Sequence, residues 1–138
     1  MTNSLFNNRF EQMLANGEAR PVFFQGVFPF LGSGLFTPHR LSPDLVYTVP
    51  AGCNAVLMYF RAGNASDQLI YLSVVGDGKP RRYFAIGPQG ASHVELAIKD
   101  DIPAGTRLEL HFAAGAGVHG TAVVDVGFLE WETEQQSS

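Results

Sequence analysis

Six consecutive apolar residues at positions 55–60 limit the folds open to this chain more than any other feature. Pro50 and Gly52 lie just before the run, and they are turn formers because proline fixes φ while glycine accepts positive φ. A run this short, bounded by turn residues, is typical of a strand buried on both faces. Residues 45–49 are rich in β-branched and aromatic side chains, so the stretch 45–64 predicts strand, turn and strand.

From residue 45 onward, apolar segments alternate with links rich in Gly, Pro, Asn and Asp. The predicted strands are 45–49, 54–62, 68–75, 81–86, 91–98, 106–113 and 119–131. Strands at this spacing, with no amphipathic helix between them, favour an antiparallel sandwich or barrel over a parallel α/β sheet. We therefore predict an all-β, jelly-roll-like antiparallel β-sandwich. An N-terminal arm (1–40), the sandwich (41–132) and a polar tail (133–138) are the predicted parts.

Three of these segments carry information on pairing. Residues 92–99 and 106–112 each alternate between an apolar and a mixed-charge face, which predicts a hairpin across the loop 100–105. One allowed register of that hairpin places Glu95 opposite His111. The last segment, 119–131, is apolar on both faces apart from Asp125, so we expect it to be central or covered by another subunit.

The N-terminal arm begins with a predicted short helix over residues 4–16, with Ser4 as N-cap and Gly17 at its end. Its apolar stripe consists of Phe6, Phe10, Met13 and Leu14. A helix of this length is marginal alone in water, so it must dock on another surface. That surface is either its own domain or a neighbouring subunit.

The remainder of the arm is rich in phenylalanine. Seven of the eleven phenylalanines lie in the first 36 residues, namely Phe6, Phe10, Phe23, Phe24, Phe28, Phe30 and Phe36. Pro29 and the glycines around it argue against one long regular element, so we predict a strand over 23–28 and an extended apolar loop beyond it. Exposed apolar patches usually mark interfaces. These seven residues are therefore candidate intersubunit contacts, with burial inside the chain as the alternative.

Composition excludes several classes of function. The formal charge of −4 gives no bulk attraction to nucleic acid. Cys53 is the only cysteine, which excludes a disulfide within the chain and fits synthesis in the cytoplasm. The N-terminus does not resemble a signal peptide, and no apolar run approaches the roughly 20 residues that span a bilayer. We expect neither a nucleic-acid nor a membrane partner.

The sequence contains no recognisable catalytic constellation, and we expect no enzyme activity, cofactor or metal. The histidines lack the short spacings of metal sites. His93 and His111 could share an outer sheet face with Glu95, although a solvated face is the favoured interpretation. A basic cluster, Lys79, Arg81 and Arg82, predicts a solvated hairpin tip or a polar contact loop for an acidic neighbour.

Two turns repeat a pattern. Thr-Val-Pro-Ala-Gly at 48–52 leads into the apolar strand 55–60 and Asn-Ala-Ser at 64–66, and Ile-Pro-Ala-Gly at 102–105 precedes a further strand. Over roughly residues 45–130 this arrangement resembles small β-sandwich structural proteins of tailed bacteriophages. The resemblance implies a non-enzymatic virion component, either a capsid decoration (cement) protein or a tail, neck or fibre protein.

The resemblance also implies partners. It predicts a homo-oligomer, with a trimer favoured, that contacts other virion proteins such as the major capsid protein. The protein would be made in the host cytoplasm and located in the virion. The alternatives are a carbohydrate- or receptor-binding sandwich, with Tyr71, Tyr83 and Trp131 as candidate platform residues, and an enzyme on a cupin-like scaffold.

Overall fold

The computed structural model describes residues 2–133, with side chains described from Arg9 onward. One helix precedes nine strands. The elements are α1 (Thr2–Ala15), β1 (Ala19–Leu31), β2 (His39–Arg40), β3 (Val46–Thr48), β4 (Cys53–Ala65), β5 (Ile70–Gly76), β6 (Lys79–Ile86), β7 (Ala91–Glu95), β8 (Arg107–Ala114) and β9 (His119–Glu132).

The strands form two antiparallel sheets that face each other. Sheet 1 has the order β1-β9-β4-β7, and sheet 2 has the order β2-β8-β5-β6, with β3 also paired to β8. The prediction of an all-β antiparallel sandwich is confirmed. As expected, β9 is central, because it pairs with β1 on one side and β4 on the other.

The core lies between the sheets and is made of the inward-facing side chains of both. Phe60, Leu72, Leu108 and Leu110 are fully buried. The rings of Phe60 and Phe84 stack across the core with centroids 3.8 Å apart. The predicted doubly buried strand is β4: Phe60 faces this core, while Val56 lies in a second cluster on the outer face.

The Phe-rich segment is part of sheet 1 and not a separate extended arm. β1 pairs with β9 without a register break over its whole length, from Ala19 opposite Trp131 to Leu31 opposite His119. The strand runs well beyond the predicted 23–28 and includes Pro21 and Pro29. Within the described residues β1 is an edge strand, which tolerates proline because only one side of it must donate hydrogen bonds.

Pairing with β9 fixes which phenylalanines are buried. Phe24 and Phe30 face the core, with ring centroids 5.1 Å from Phe128 and 5.3 Å from Phe112, respectively. Phe28 is half-buried against the same core. Phe24 and Phe30 are therefore buried inside the chain, which was the alternative to an intersubunit contact, because even-numbered side chains of β1 point between the sheets. Phe23 and Phe36 remain exposed.

Helix α1 docks on its own chain. Phe10 is buried on the outer face of sheet 1 in a cluster with Ala19, Val56 and Leu129, and its ring lies 5.6 Å from that of Trp131. Phe10 is therefore also an intramolecular contact, while the side chain of Phe6 lies outside the described residues. No helix within residues 2–133 has the length and apolar character needed to cross a bilayer.

The predicted hairpin between residues 92–99 and 106–112 does not form. β7 pairs with β4 in sheet 1, whereas β8 pairs with β5 in sheet 2. The loop between them therefore crosses from one sheet to the other. An apolar face on each segment is satisfied equally well by two sheets that face a common core.

Candidate interaction surface

The outer face of sheet 1 is only partly covered. Helix α1 covers the end near Trp131 and Leu129, and nothing in residues 2–133 covers the other end. Four large apolar side chains are exposed on this outer face, with exposed fractions of 47% for Phe23, 65% for Val27, 64% for Leu31 and 50% for Val123. The polar pair Gln25 and Asp125 lies between Phe23 and the other three. We call these four residues the outer apolar surface.

A row of apolar or small residues crosses the sheet at this end. Val27 lies opposite Val123, Val123 opposite Gly63, and Gly63 opposite Ala91. Because Gly63 and Ala91 have little or no side chain, the sheet surface is recessed there. The recess is a groove of about 440 Å³ whose lining includes these two residues and Val123.

A polar row runs beside the groove. Asp125 accepts hydrogen bonds from Gln25 Nε2 at 3.1 Å and from Tyr59 Oη at 2.8 Å, and its other oxygen lies 3.5 Å from Arg61 Nη2. Burial raises the pKa of Asp125. The hydrogen bonds from Gln25 and Tyr59 and the charge of Arg61 lower it by more, so the net shift of the pKa is downward. The carboxylate is thus ionised and paired, which suits a structural role.

Phe36 is presented to solvent by a well-anchored turn. Thr37 N donates to Gly34 O at 3.0 Å, and Gly34 N donates to Ala114 O at 2.8 Å. Gly32 N donates to Val118 O at 2.7 Å. The side chain of Phe36, at the tip, is 98% exposed. A large apolar side chain on a turn held by backbone hydrogen bonds is a preorganised contact point.

Two of the three residues in the predicted basic contact loop, Arg81 and Arg82, form contacts within the chain. Arg82 Nη2 donates to Ile98 O at 2.9 Å and lies 3.3 Å from Asp100 Oδ2. Arg81 donates to Asp101 O at 3.3 Å. Both arginines therefore hold the loop between the sheets against β6. Lys79 is exposed at the hairpin tip.

The histidines named from the sequence lie on opposite sheets. His93 is on the outer face of sheet 1, 3.9 Å from Glu95, and His111 is on sheet 2, where its Nε2 lies 2.8 Å from Glu109 Oε1. The structure does not bring the two histidines together. No three His, Cys, Asp or Glu residues of the described chain are arranged to hold a metal ion.

Sheet 2 carries a separate polar cluster around Glu109. The hydrogen bond with His111 lowers the pKa of Glu109, and a bond from Arg107 adds to this effect against the opposing effect of burial. Arg40 lies 3.7 Å away. On the same outer face, the rings of Tyr71 and Tyr83 meet edge to face at 5.6 Å, and Tyr83 is 64% exposed.

Another polar cluster lies at the end of the core. Glu130 is 9% exposed and accepts hydrogen bonds from Arg20 at 2.8 and 3.2 Å and from Tyr47 Oη at 2.6 Å. Burial raises the pKa of Glu130, but the bonds from Arg20 and Tyr47 outweigh it and the net shift is downward. Burial also raises the pKa of the Cys53 thiol, whose sulfur lies 4.0 Å from the carboxylate.

Sequence reasoning missed most of the outer apolar surface. It selected phenylalanines, and of these only Phe23 belongs to the surface, while Val27, Leu31 and Val123 were not among the candidate contacts. The signal was present as a period of two, because most odd-numbered positions of β1 are apolar as well as most even-numbered ones, Gln25 and Arg20 being the exceptions. An edge strand apolar on both faces buries one face and exposes the other.

Comparisons with known proteins show no family for this chain. No protein-family model matches the chain, and no curated protein matches it. Solved structures with similar folds include Eiger TNF from S. frugiperda, at 13% identity and a TM-score of 0.47, covering 87% of this chain and 96% of that one.

Two further structures span different classes of protein. The CBM36-1 domain of a multidomain xylanase from the hindgut metagenome of Trinervitermes trinervoides has 9% identity and a TM-score of 0.44, covering 80% and 96% of the two chains. A structure titled for Bacillus endospore appendages, a family of disulfide-linked pili, has 8% identity and a TM-score of 0.41, covering 86% and 94%. Likeness at this level carries no argument about the fold or the function of this chain.

Proposed function

We propose that this protein is a non-enzymatic structural component of a bacteriophage virion, a capsid decoration protein that stabilises the particle through intersubunit contacts. The observation that carries the proposal is the outer apolar surface, in which four large apolar side chains are about half exposed or more on one sheet face. Large apolar side chains exposed together on one face of a sheet mark a site of protein association. The bacteriophage setting rests on the resemblance of residues 45–130.

The proposal assigns partners to that surface. The chain associates with itself, with a trimer favoured, and with the major capsid protein, after synthesis in the host cytoplasm. Burial of apolar area contributes roughly 25 cal/mol per Å² before the entropic cost of association. Polar groups next to the surface are paired within the chain, as in the row around Asp125, so a partner can cover them without stranding a charge.

The test uses particles from cells that carry the encoding genome. Virions are purified on a density gradient, and the chain is quantified by mass spectrometry against the major capsid protein. We expect a fixed ratio to the major capsid protein, and particles that lack the chain should release DNA at a lower temperature. Its absence from purified virions would overturn the proposal.

Purified protein added back to deficient particles tests the surface itself. Wild-type protein should restore heat resistance, whereas Val27→Glu should not, because the new carboxylate would be buried in the contact. Tyr83→Ala, on the opposite sheet, is the matched control and should restore it. If the chain is found in virions but at the tail, neck or fibre in electron micrographs, the tail-component alternative replaces capsid decoration.

A second candidate function is carbohydrate or receptor binding, and the Tyr71–Tyr83 pair favours it. Exposed aromatic rings offer sugars a flat apolar platform, and Tyr83 is 64% exposed on the outer face of sheet 2. Binding to a glycan array that is lost in Tyr83→Ala and kept in Val27→Glu would support this function. An array without binding would remove it.

A further inference from the structure

Charge is divided unevenly between the two sheets. The chain carries nine Lys and Arg residues and thirteen Asp and Glu residues, which gives a formal charge of −4. Within residues 2–133, Glu109 is the only acidic residue on a strand of sheet 2. Five of the nine basic residues lie on those strands, namely Arg40, Lys79, Arg81, Arg82 and Arg107. Sheet 2 is therefore the basic side of an acidic protein, and its charge favours an anionic ligand.

Arg40 has unoccupied hydrogen-bond donors on the outer face of this sheet. Glu109 Oε1 lies 2.8 Å from His111 Nε2, and Glu109 Oε2 accepts from Arg107 Nε at 3.1 Å, so both carboxylate oxygens are engaged. Arg40 Nη1 lies 3.7 Å from Oε2, beyond hydrogen-bond distance. Its side chain is 45% exposed and donates no hydrogen bond within the described residues. The planar guanidinium is therefore open to a carboxylate, which it can bind through two parallel bonds.

Strand pairing places Arg40 on the same face as the exposed tyrosines. Arg40 lies opposite His111, His111 opposite Ser73, and Ser73 opposite Tyr83. Since neighbouring strands are about 4.8 Å apart, three such spacings separate Arg40 from Tyr83 by roughly 14 Å. The row thus has an aromatic end and a cationic end, and a short chain of linked rings is long enough to reach both.

The aromatic end of the row suits a sugar ring. Tyr83 is 64% exposed, and its ring meets that of Tyr71 edge to face at 5.6 Å. The C–H groups on the flat side of a sugar pack against an aromatic face, whose quadrupole is negative. A nucleic acid is a poorer match, because its affinity depends on several phosphate contacts and the chain as a whole is negative.

We propose that the outer face of sheet 2 binds an acidic saccharide, with a sugar ring on Tyr83 and a carboxylate on Arg40. This inference rests on the carbohydrate-binding candidate above and names the ligand class of that same surface. The ligand carboxylate takes the place of water at the guanidinium of Arg40. It also balances the charge of a cluster in which two arginines surround one carboxylate, Glu109.

A glycan array that carries uronic-acid and sialic-acid oligosaccharides beside neutral ones tests the ligand class. Acidic oligosaccharides should be bound in preference to neutral ones. Titration calorimetry then compares the acidic oligosaccharide that binds most strongly with its methyl ester, which keeps the sugar rings and removes the charge. We expect the ester to bind about tenfold or more weakly, because it loses the charge-assisted bonds to Arg40.

Variants assign the two ends of the row. Arg40→Gln should weaken binding of the acidic oligosaccharide by about tenfold or more and leave binding of the ester unchanged, whereas Tyr83→Ala should weaken both. Arg40→Lys keeps the charge without the planar fork and should bind with intermediate affinity. Arg61→Gln is the matched control and should bind like wild type, because Arg61 is a similarly exposed arginine, at 52%, on the opposite sheet. Circular dichroism melts verify that each variant folds.

The outcomes separate this inference from the functions proposed above. Neutral glycans bound as tightly as acidic ones would overturn the acidic ligand and leave the carbohydrate-binding candidate intact, whereas an array without binding would overturn both. Polyglutamate or single-stranded DNA bound as tightly as the acidic oligosaccharide would also overturn the inference, since it would indicate an acidic protein or a nucleic acid. Presence of the chain in virions is measured independently, so the assembly proposal fails separately.

Discussion

Arg20 and Glu130 lie directly opposite each other on β1 and β9, and the guanidinium donates two hydrogen bonds to the carboxylate, at 2.8 and 3.2 Å. The pair is asymmetric, since the side chain of Arg20 is 62% exposed and that of Glu130 only 11%. Removal of the arginine therefore leaves a carboxylate in a site that water reaches poorly.

We expect Arg20→Ala to lower the free energy of unfolding by about 1–3 kcal/mol, because a nearly buried charge loses its main partner. Arg61→Ala is the matched control. Its pair with Asp125 is more exposed, at 52% and 35%, so its cost should be about 0–1 kcal/mol. Urea denaturation measures both, and equal losses would contradict the role of burial at Glu130.

Acid should destabilise the fold. Glu109, Asp125 and Glu130 each have a pKa that hydrogen bonds and neighbouring cations lower in the folded state. The unfolded chain binds protons more readily, so the stabilisation is present above the ordinary values of 3.8 and 4.5 and is lost as pH falls through the lowered ones. Urea denaturation midpoints are measured between pH 7 and pH 3. They should decrease mainly at pH values below about 4.5. A flat profile would contradict this.

The side-chain amide of Asn64 joins three segments. Its Nδ2 donates to the carbonyl oxygens of Gln68, Ile86 and Gly87 at 2.9–3.1 Å, and its oxygen accepts from Ser66 Oγ at 2.7 Å. Asn64 is 2% exposed. The side chain thus joins the end of β4 to the ends of β5 and β6.

Asn64→Asp should therefore destabilise the fold more than Asn64→Ala near neutral pH, because a carboxylate would face three carbonyl oxygens. We expect a loss of about 1–3 kcal/mol for alanine and a larger one for aspartate. The difference should shrink in acid, since a protonated carboxyl can donate one hydrogen bond. Paired urea titrations at pH 7 and pH 5 measure it, and an aspartate variant as stable as the alanine one would refute this account.

Gly32 is needed for close backbone approach. A Cβ there would lie 2.6 Å from Ala114 O and still closer to Gly115 O, and neither backbone atom can move away cheaply. Gly32→Ala should cost about 1–3 kcal/mol, measured by thermal and urea unfolding. Gly87→Ala is the control, because a Cβ at that position meets nothing within 4 Å. Similar effects of the two changes would show that crowding is not the cause.

Local patterns predicted the strands well and their partners poorly. The central position of β9 followed from its two apolar faces, a property of the segment itself. Whether residues 92–99 pair with 106–112 depends on which sheet each joins, and the same apolar face suits both. Pro29 was interpreted as the end of a regular element, although an edge strand accommodates proline.

The candidate site was predictable only in outline. A Phe-rich N-terminal segment indicated an interface, but exposure in β1 alternates, so Phe24 is buried while its neighbour Phe23 is 47% exposed. Pairing with β9, which lies about 100 residues away in the chain, determines which alternate positions of β1 are buried. The function of Arg82 depends likewise on a loop that sequence alone does not place beside it.

The two prolines of β1 limit how copies of this protein can join. Pro21 and Pro29 are an even number of residues apart in β1, so their nitrogens lie on the same side of the strand. Proline has no N–H to offer an incoming strand. A β-strand from another copy would lose a hydrogen bond at each of these positions, which discourages open-ended sheet growth of the kind that leads to fibres. Synthesis of many copies at once is therefore less prone to amyloid-like polymerisation along β1, whereas association through side chains on the sheet face remains available.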